Sequence, residues 1–176
     1  SIPRARPVST GMIEFIAEME MIFISTADRE GNCDSSVRMG KAGFLKVIDK
    51  QHIAYPEYRG NGVYASLGNI AENPRIGLLM IDFYKTTIGL HINGKAEIAD
   101  QIDGLHDPLA ERWVSIKVEE AYIQCSKHIP LMERKNKDLV WNTDDEKLKG
   151  GDFFKTDKKA EPVTGTNDEE PETVLL

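Results

Sequence analysis

Two long segments of this sequence alternate between apolar and polar residues, which is the pattern of β-strands with one buried face. In residues 88–99, Leu90 and Ile92 fall on the apolar side, and their neighbours on the other side are glycine or polar. Residues 113–125 alternate in the same way, and Gly94 indicates a bulge or bend within the first segment. Strands of this kind favour a fold built on an antiparallel sheet.

Shorter segments complete the pattern. Apolar or β-branched runs bounded by turn signals predict strands over residues 21–27, 33–39, 43–48, 52–55 and 75–83. Helical spacing predicts one helix capped by Ser9 or Thr10 and another from Asn61 that Asn73-Pro74 ends. Shorter helices are predicted over 107–112 and 126–135. We therefore predict a mainly β fold, an antiparallel barrel of six strands with short helices.

The composition indicates a globular domain followed by an acidic end. We predict one domain over residues 1–150 and a flexible tail over 151–176, since 156–176 hold six acidic but only two basic side chains. A net charge of −7 gives no support for nucleic-acid binding, and no apolar run is long enough to cross a bilayer. We expect Cys33 and Cys125 to be free thiols, which suits the cytoplasm.

The predicted strand 33–39 carries a candidate phosphate site. Ser36 and Arg38 share one face because side chains alternate along a strand. A hydroxyl beside a guanidinium suits a phosphate, which arginine binds through charge-assisted hydrogen bonds, and Lys41 in the following turn can add a donor. The alternative is a solvated strand with an ordinary surface arginine.

Residues 55–62 form a second candidate group of anion donors. Glycines in this segment allow the backbone to approach a ligand, and the next helix begins with unpaired N–H groups. Arg59 and Asn61 supply side-chain donors. A glycine-containing helix cap explains the same residues without a ligand.

The last long strand ends in Gln124-Cys125-Ser126-Lys127-His128. A catalytic Cys125 would need a partner base and a lowered pKa, so we favour a structural cysteine that is at least half-buried. The histidines lack metal-ligand spacing, and we predict no metal site. No catalytic acid or base is identified.

These segments occur in an order that resembles the pyridoxamine 5′-phosphate oxidase-like, FMN-binding split-barrel family over residues 8–134. The resemblance is carried by Phe23-Ile24-Ser25-Thr26-Ala27-Asp28, Ser36-Val37-Arg38, Asn61-Gly62, Ser66-Leu67-Gly68-Asn69-Ile70, Asn73-Pro74-Arg75-Ile76-Gly77-Leu78, Ile92-Asn93-Gly94-Lys95-Ala96 and Cys125-Ser126-Lys127. It implies a six-stranded antiparallel split β-barrel.

The resemblance also implies a cytoplasmic homodimer with FMN at the subunit interface, the phosphate held by Arg38 and the partner subunit contributing Gln124 and Lys127. The positions that form this predicted cofactor site are Ser36, Arg38, Met39, Gly40, Lys41, Arg59, Asn61, Gln124 and Lys127. The implied function is an FMN-dependent oxidoreductase that uses a small-molecule substrate or a nicotinamide donor. The alternatives are a deazaflavin or haem protein and a flavin-binding module without turnover. Oxidation of pyridoxamine phosphate is not expected, because Asn61-Gly62 replaces the basic pair of the true oxidases.

Overall fold

The computed structural model describes residues 6–60, 63–137 and 145–149 of the chain. The chain divides into two compact units, residues 1–144 and residues 145–176. The described part of the second unit contains the helix Glu146–Lys149. The predicted tail, 151–176, lies outside the described residues.

The first unit consists mainly of β-strands. Its elements are α1 (Thr10–Glu18), β1 (Met21–Ala27), β2 (Cys33–Met39), β3 (Lys46–Asp49), β4 (His52–Glu57), α2 (Val63–Glu72), β5 (Arg75–Ile81), β6 (Gly89–Ala99), β7 (Arg112–Gln124) and a 3₁₀ turn (Ser126–His128). The bounds of β1 and β2 are those predicted from the sequence. Ser9 caps α1 as expected, since its hydroxyl accepts a hydrogen bond from the N–H of Met12.

The strands form one antiparallel sheet in the order β2-β1-β5-β6-β7-β4-β3. This confirms the predicted mainly β, antiparallel class. The predicted count of six strands is one too few among the described residues, which form seven; each of the seven overlaps one of the seven strand segments marked by the sequence pattern. The predicted irregularity at Gly94 is confirmed: the register between β6 and β7 shifts between Asn93 and Gly94.

The sheet curls until its ends meet. In the strand order β2 and β4 are five places apart, so a flat sheet would separate them by about 24 Å. Nevertheless Arg38 Nε on β2 lies 2.6 Å from Glu57 Oε2 on β4. These two strands share no backbone ladder, and the barrel is therefore split at this point and joined across the split by side chains.

The core fills the inside of the curled sheet. Its most deeply buried strand residues include Ile22, Ile24, Ile53, Met80, Ile92, Val114 and Ile116. Helix α1 packs Ile16 against this core, and α2 adds Ile70. Alternation along each strand thus places the apolar residues inside, as the sequence pattern predicted.

Two predicted helices are wrong. Residues 107–112 form turns, because the carboxylate of Asp107 accepts the N–H of Leu109 and fixes a tight loop before β7. Of the helix expected over 126–135, only the 3₁₀ turn exists. Pro130 explains this early end, since proline has no N–H to donate and restricts the residue before it.

Candidate functional site

The predicted phosphate-binding pair lies inside the barrel. Arg38 is opposite Ile22 in the β1–β2 ladder, so its side chain points toward the core. Its exposure is 0%, and that of its partner Glu57 is 1%. Besides the bond to Glu57, Arg38 Nη1 donates to Ser36 Oγ at 2.7 Å and to the carbonyl of Val37 at 3.1 Å. Ser36 and Arg38 do share a face, and that face is the interior one.

Burial dominates the electrostatics of this cluster. It raises the pKa of Glu57, while the guanidinium of Arg38 partly offsets the effect. Burial also raises the pKa of Tyr55, and the charge of Glu57 adds to that shift. The hydroxyl of Tyr55 and Oε1 of Glu57 are buried without a hydrogen-bond partner among the described residues. A buried charge pair in such surroundings is costly to separate.

The cluster fits a bound phosphate poorly. Glu57 Oε2 engages Nε of Arg38, and Ser36 Oγ and the carbonyl of Val37 engage its Nη1. The carboxylate of Glu57 would also repel the incoming dianion. In this conformation Arg38 therefore offers no surface to a ligand.

A cavity of about 330 Å³ lies near the ends of β2 and β4. Its lining includes Lys41, from the connection between β2 and β3, Lys46, the first residue of β3, and His106, on the loop between β6 and β7. Phe44 and Leu109 contribute apolar surface. The volume is at the lower end of the range for ligand pockets.

A hydrogen bond between two strand ends supports this cavity. The hydroxyl of Tyr58, just after β4, donates to Asp107 Oδ2 at 2.6 Å. The other oxygen of Asp107 accepts the N–H of Leu109 at 2.9 Å. Burial raises the pKa of Tyr58, and the bond to Asp107 raises it further. Lys41 and Lys46 carry two positive charges against the one negative charge of Asp107, so the lining has a small excess of positive charge.

The neighbouring predicted residues have mixed placements. Gly40 is needed for packing, because a Cβ there would lie 2.3 Å from Cγ of Phe44. Met39 is partly buried beside Met21 in the β1–β2 ladder. Arg59 is exposed, and its Nε lies 2.7 Å from Glu111 Oε1. Asn61 lies outside the described residues.

Gln124 and Lys127 lie at a different part of the barrel. Both are exposed, and Gln124 Oε1 is 2.9 Å from Nε2 of His91. Neither Gln124 nor Lys127 is among the residues that line the cavity beside Lys41.

The sequence analysis missed Glu57, Lys46 and His106. Glu57 follows Tyr55-Pro56 at the end of a strand, and nothing in that pattern shows that its side chain turns inward. Lys46 begins β3 and His106 lies on a loop sixty residues later, and only the fold brings them to one cavity. For Glu57, the available sequence signal was a glutamate two residues after a tyrosine that proves to be buried.

Three further features concern the exposure of Cys125, possible metal ligands and helices that could span a membrane. Cys125 is exposed, so the expectation of a half-buried cysteine is wrong. In the described ranges no three His, Cys, Asp or Glu side chains are placed to hold a metal ion. Within that same part of the chain, no helix has the length and apolar content to span a bilayer.

Comparison with known proteins places this fold. The sequence profile described as pyridoxamine 5′-phosphate oxidase matches residues 11–130. The chain belongs to this family. The match covers most of the 8–134 segment that carries the resemblance. Comparison with the curated proteins finds no match.

Three solved structures of bacterial proteins are similar to this chain to different degrees. HupZ from Group A Streptococcus is 18% identical, with 65% of this chain and 93% of HupZ covered at a TM-score of 0.50. HutZ from Vibrio cholerae, named a haem storage protein, is 13% identical, with coverages of 67% and 95% and a TM-score of 0.47. An FMN-binding protein from Syntrophomonas wolfei subsp. wolfei is 16% identical, with coverages of 61% and 78% and a TM-score of 0.43. At 18% identity and a TM-score of 0.50, the likeness to HupZ concerns the fold alone.

Proposed function

We propose that this chain is a flavoprotein that binds FMN and acts as an oxidoreductase. The observation that carries the proposal is the cavity beside the barrel split, where Lys41 and Lys46 stand over apolar surface. FMN combines a dianionic phosphate with a flat ring system, and the cavity combines cations with an apolar wall. Lysine binds phosphate well as a point charge.

Within the cavity the chain's own residues have separate roles. Lys41 and Lys46 would hold the phosphate, and Phe44 and Leu109 would contact the apolar part of the ligand. The bond from Tyr58 to Asp107 holds the two loops at a fixed spacing. When bound, the flavin supplies hydride transfer at N5, and the protein supplies position and electrostatics.

A homodimer would complete this site, and one face of the sheet suits such an interface. Five residues form a row across β2, β1, β5, β6 and β7 on the outer side: Val37, Phe23, Leu79, His91 and Tyr122. Val37, Phe23 and Tyr122 are exposed, and the rings of His91 and Tyr122 stack with centroids 4.6 Å apart. Exposed apolar and aromatic side chains of this kind mark protein interfaces.

The second copy also accounts for the separation of the predicted residues. Within one chain, Gln124 and Lys127 do not line the cavity. The partner's copies would bring an amide and a cation to the flavin, which a cavity of 330 Å³ covers only in part.

The cofactor proposal is tested by what the purified protein binds. A yellow protein that absorbs near 450 nm and releases FMN on denaturation supports it. In titrations of the apoprotein, Lys46→Met is expected to weaken FMN binding about tenfold or more, because one charge-assisted contact is lost. Lys95→Met, which changes an exposed lysine of β6, is the matched control and should leave the affinity unchanged. A haem or deazaflavin spectrum, or equal affinities for both variants, would contradict the proposal.

The dimer proposal has its own test. Phe23→Glu places a charge in the centre of the outer row and is expected to give monomers in analytical ultracentrifugation. Ile48→Glu is the matched control, because Ile48 is equally exposed but lies on β3, outside the row. A monomeric parent protein, or a dimeric Phe23→Glu variant, would rule out this interface.

A further inference from the structure

The lining of the cavity contains one side chain whose charge changes near neutral pH. His106 lines the cavity together with Lys41 and Lys46, and histidine gains or loses its proton between about pH 5 and 8. The other titratable groups of the lining are Tyr58 and Asp107, which are joined by a hydrogen bond of 2.6 Å. When His106 is protonated, three positive charges in the lining therefore face one negative charge.

The loop between β6 and β7 fixes the backbone on which His106 lies. On the side before it, the N–H of Leu105 donates to the carbonyl of Ile102 at 3.0 Å. On the side after it, the N–H of Ala110 donates to the carbonyl of Asp107 at 3.1 Å. The imidazole is therefore held between two hydrogen-bonded turns.

The imidazole itself is accessible to a ligand. His106 is exposed, and within the described residues its side chain has no hydrogen-bond or ion-pair partner. The other carboxylates of the loop are placed elsewhere. Glu111 Oε1 lies 2.7 Å from Arg59 Nε, and neither Asp100 nor Asp103 lines the cavity. A protonated imidazole can therefore donate a hydrogen bond to an anion that enters the cavity.

We propose that protonated His106 forms a third contact to the phosphate of the ligand, so that binding takes up a proton from the solvent at this imidazole. A doubly charged phosphate stabilises the imidazolium beside it. The contact favours a phosphorylated ligand and weakens as the pH rises through the range in which histidine ionises. The identity of the ligand as FMN rests on the proposed function, whereas the phosphate contact of His106 does not.

The first measurement is the affinity of the apoprotein for FMN at pH 6 and pH 8, in the parent and in His106→Gln. The phosphate of FMN gains its second charge near pH 6, which affects both proteins equally. Loss of the imidazole proton weakens the parent alone, so its affinity should fall at least about threefold more between these pH values than that of the variant. His128→Gln, which changes an exposed histidine outside the cavity lining, is the matched control and should behave as the parent. Equal pH dependence of the parent and His106→Gln would overturn the proposal.

Riboflavin, which lacks the phosphate, separates a phosphate contact from a general effect of pH on the protein. The affinities of the parent and His106→Gln for riboflavin should agree within about twofold at both pH values. If riboflavin shows the same histidine-dependent loss of affinity as FMN, His106 does not act on the phosphate and the proposal is wrong.

Inorganic phosphate tests the contact without a flavin. The histidine C2 proton resonances of the full chain are followed against pH by NMR, in phosphate and in chloride of equal ionic strength, and the His106 resonance is assigned with His106→Gln. Phosphate should move the titration of His106 to higher pH by at least about 0.5 unit, the effect of one charge about 4 Å away even in water, and should leave that of His128 in place. If FMN does not bind the parent protein, the proposed function fails and this titration alone decides the role of His106. An unchanged titration of His106 would then overturn the proposal.

Discussion

Replacing Arg38 by methionine removes the guanidinium and leaves the carboxylate of Glu57 buried in the barrel. The two side chains are 0% and 1% exposed, so solvent cannot take the place of the lost partner. Removing one member of such a pair costs about 3–5 kcal/mol. Domains of this size have a total stability of about 5–15 kcal/mol, and the variant should therefore be near its limit.

Replacing Glu57 as well shows whether the loss of stability comes from the unpaired charge or from the change in packing. In Arg38→Met/Glu57→Leu no charge remains in the split, and apolar side chains of similar volume replace the pair. Such replacements are often neutral or stabilising. We therefore expect the double variant to regain most or all of the stability that Arg38→Met loses.

The loss should depend on pH in a defined direction. Burial already raises the pKa of Glu57 above its ordinary 4.5, and without Arg38 the pKa rises further. The folded variant then keeps a proton that the unfolded chain releases, so its stability is greatest below pH 4.5. That stability falls as the pH rises through the folded-state pKa, by up to about 1.4 kcal/mol per pH unit. The deficit of Arg38→Met relative to the parent should thus be larger at neutral pH than at pH 5.

Urea unfolding of the parent and the variants measures these differences, with the slope checked for two-state behaviour. Arg75→Met is the matched control, because Arg75 and Glu119 form an ion pair that is 62% and 43% exposed. Exposed pairs contribute about 0–1 kcal/mol, so the control should remain close to the parent. If Arg38→Met costs no more than Arg75→Met, the reasoning about the buried pair is refuted.

Three local predictions concern the turns and the bulge, and urea unfolding measures each of them. Gly94→Ala should lower the free energy of unfolding by about 2–3 kcal/mol, because its Cβ would lie 2.2 Å from the carbonyl oxygen of Lys117. Gly68→Ala in α2 should raise the free energy of unfolding by about 0.5–1 kcal/mol, because a Cβ there meets nothing within 4 Å. Equal stabilities of the two variants would contradict this prediction. Asp82→Ala should cost about 1 kcal/mol at pH 7, because the carboxylate accepts three backbone N–H groups of its turn. Burial raises the pKa of Asp82, but these hydrogen bonds hold it below its ordinary 3.8. The stabilisation by Asp82 is therefore present above that value and disappears as the pH falls through the folded-state pKa. A stability difference between the parent and Asp82→Ala that persists in stronger acid would count against this prediction. Thr87→Gly should stabilise the protein by about 1 kcal/mol, because a β-branched residue at φ 53° is strained, and a loss of stability would show that the turn needs its side chain.

Strand pattern was predictable from local sequence to a useful degree. The bounds of β1 and β2, the irregularity at Gly94 and the inward side of β6 all follow from alternation and turn residues. The helices expected after Asp107 and after Cys125 were not formed, because single polar and proline residues changed short segments that periodicity could not resolve. Alternation also grouped Ser36 with Arg38 correctly but left open whether their shared face was inside or outside.

The sequence by itself determined the secondary structure of the barrel and its family, because each strand carries its own period of two and its own turns. Only the tertiary structure decided that Arg38 faces Glu57, since these residues lie on strands five places apart in the sheet order and meet only when the sheet curls. The fold likewise brings Lys41, Lys46 and His106 to one cavity from distant parts of the chain. Burial then sets the chemistry, because a charge inside the barrel must keep its partner, whereas an exposed charge such as that of Lys41 remains available to a ligand.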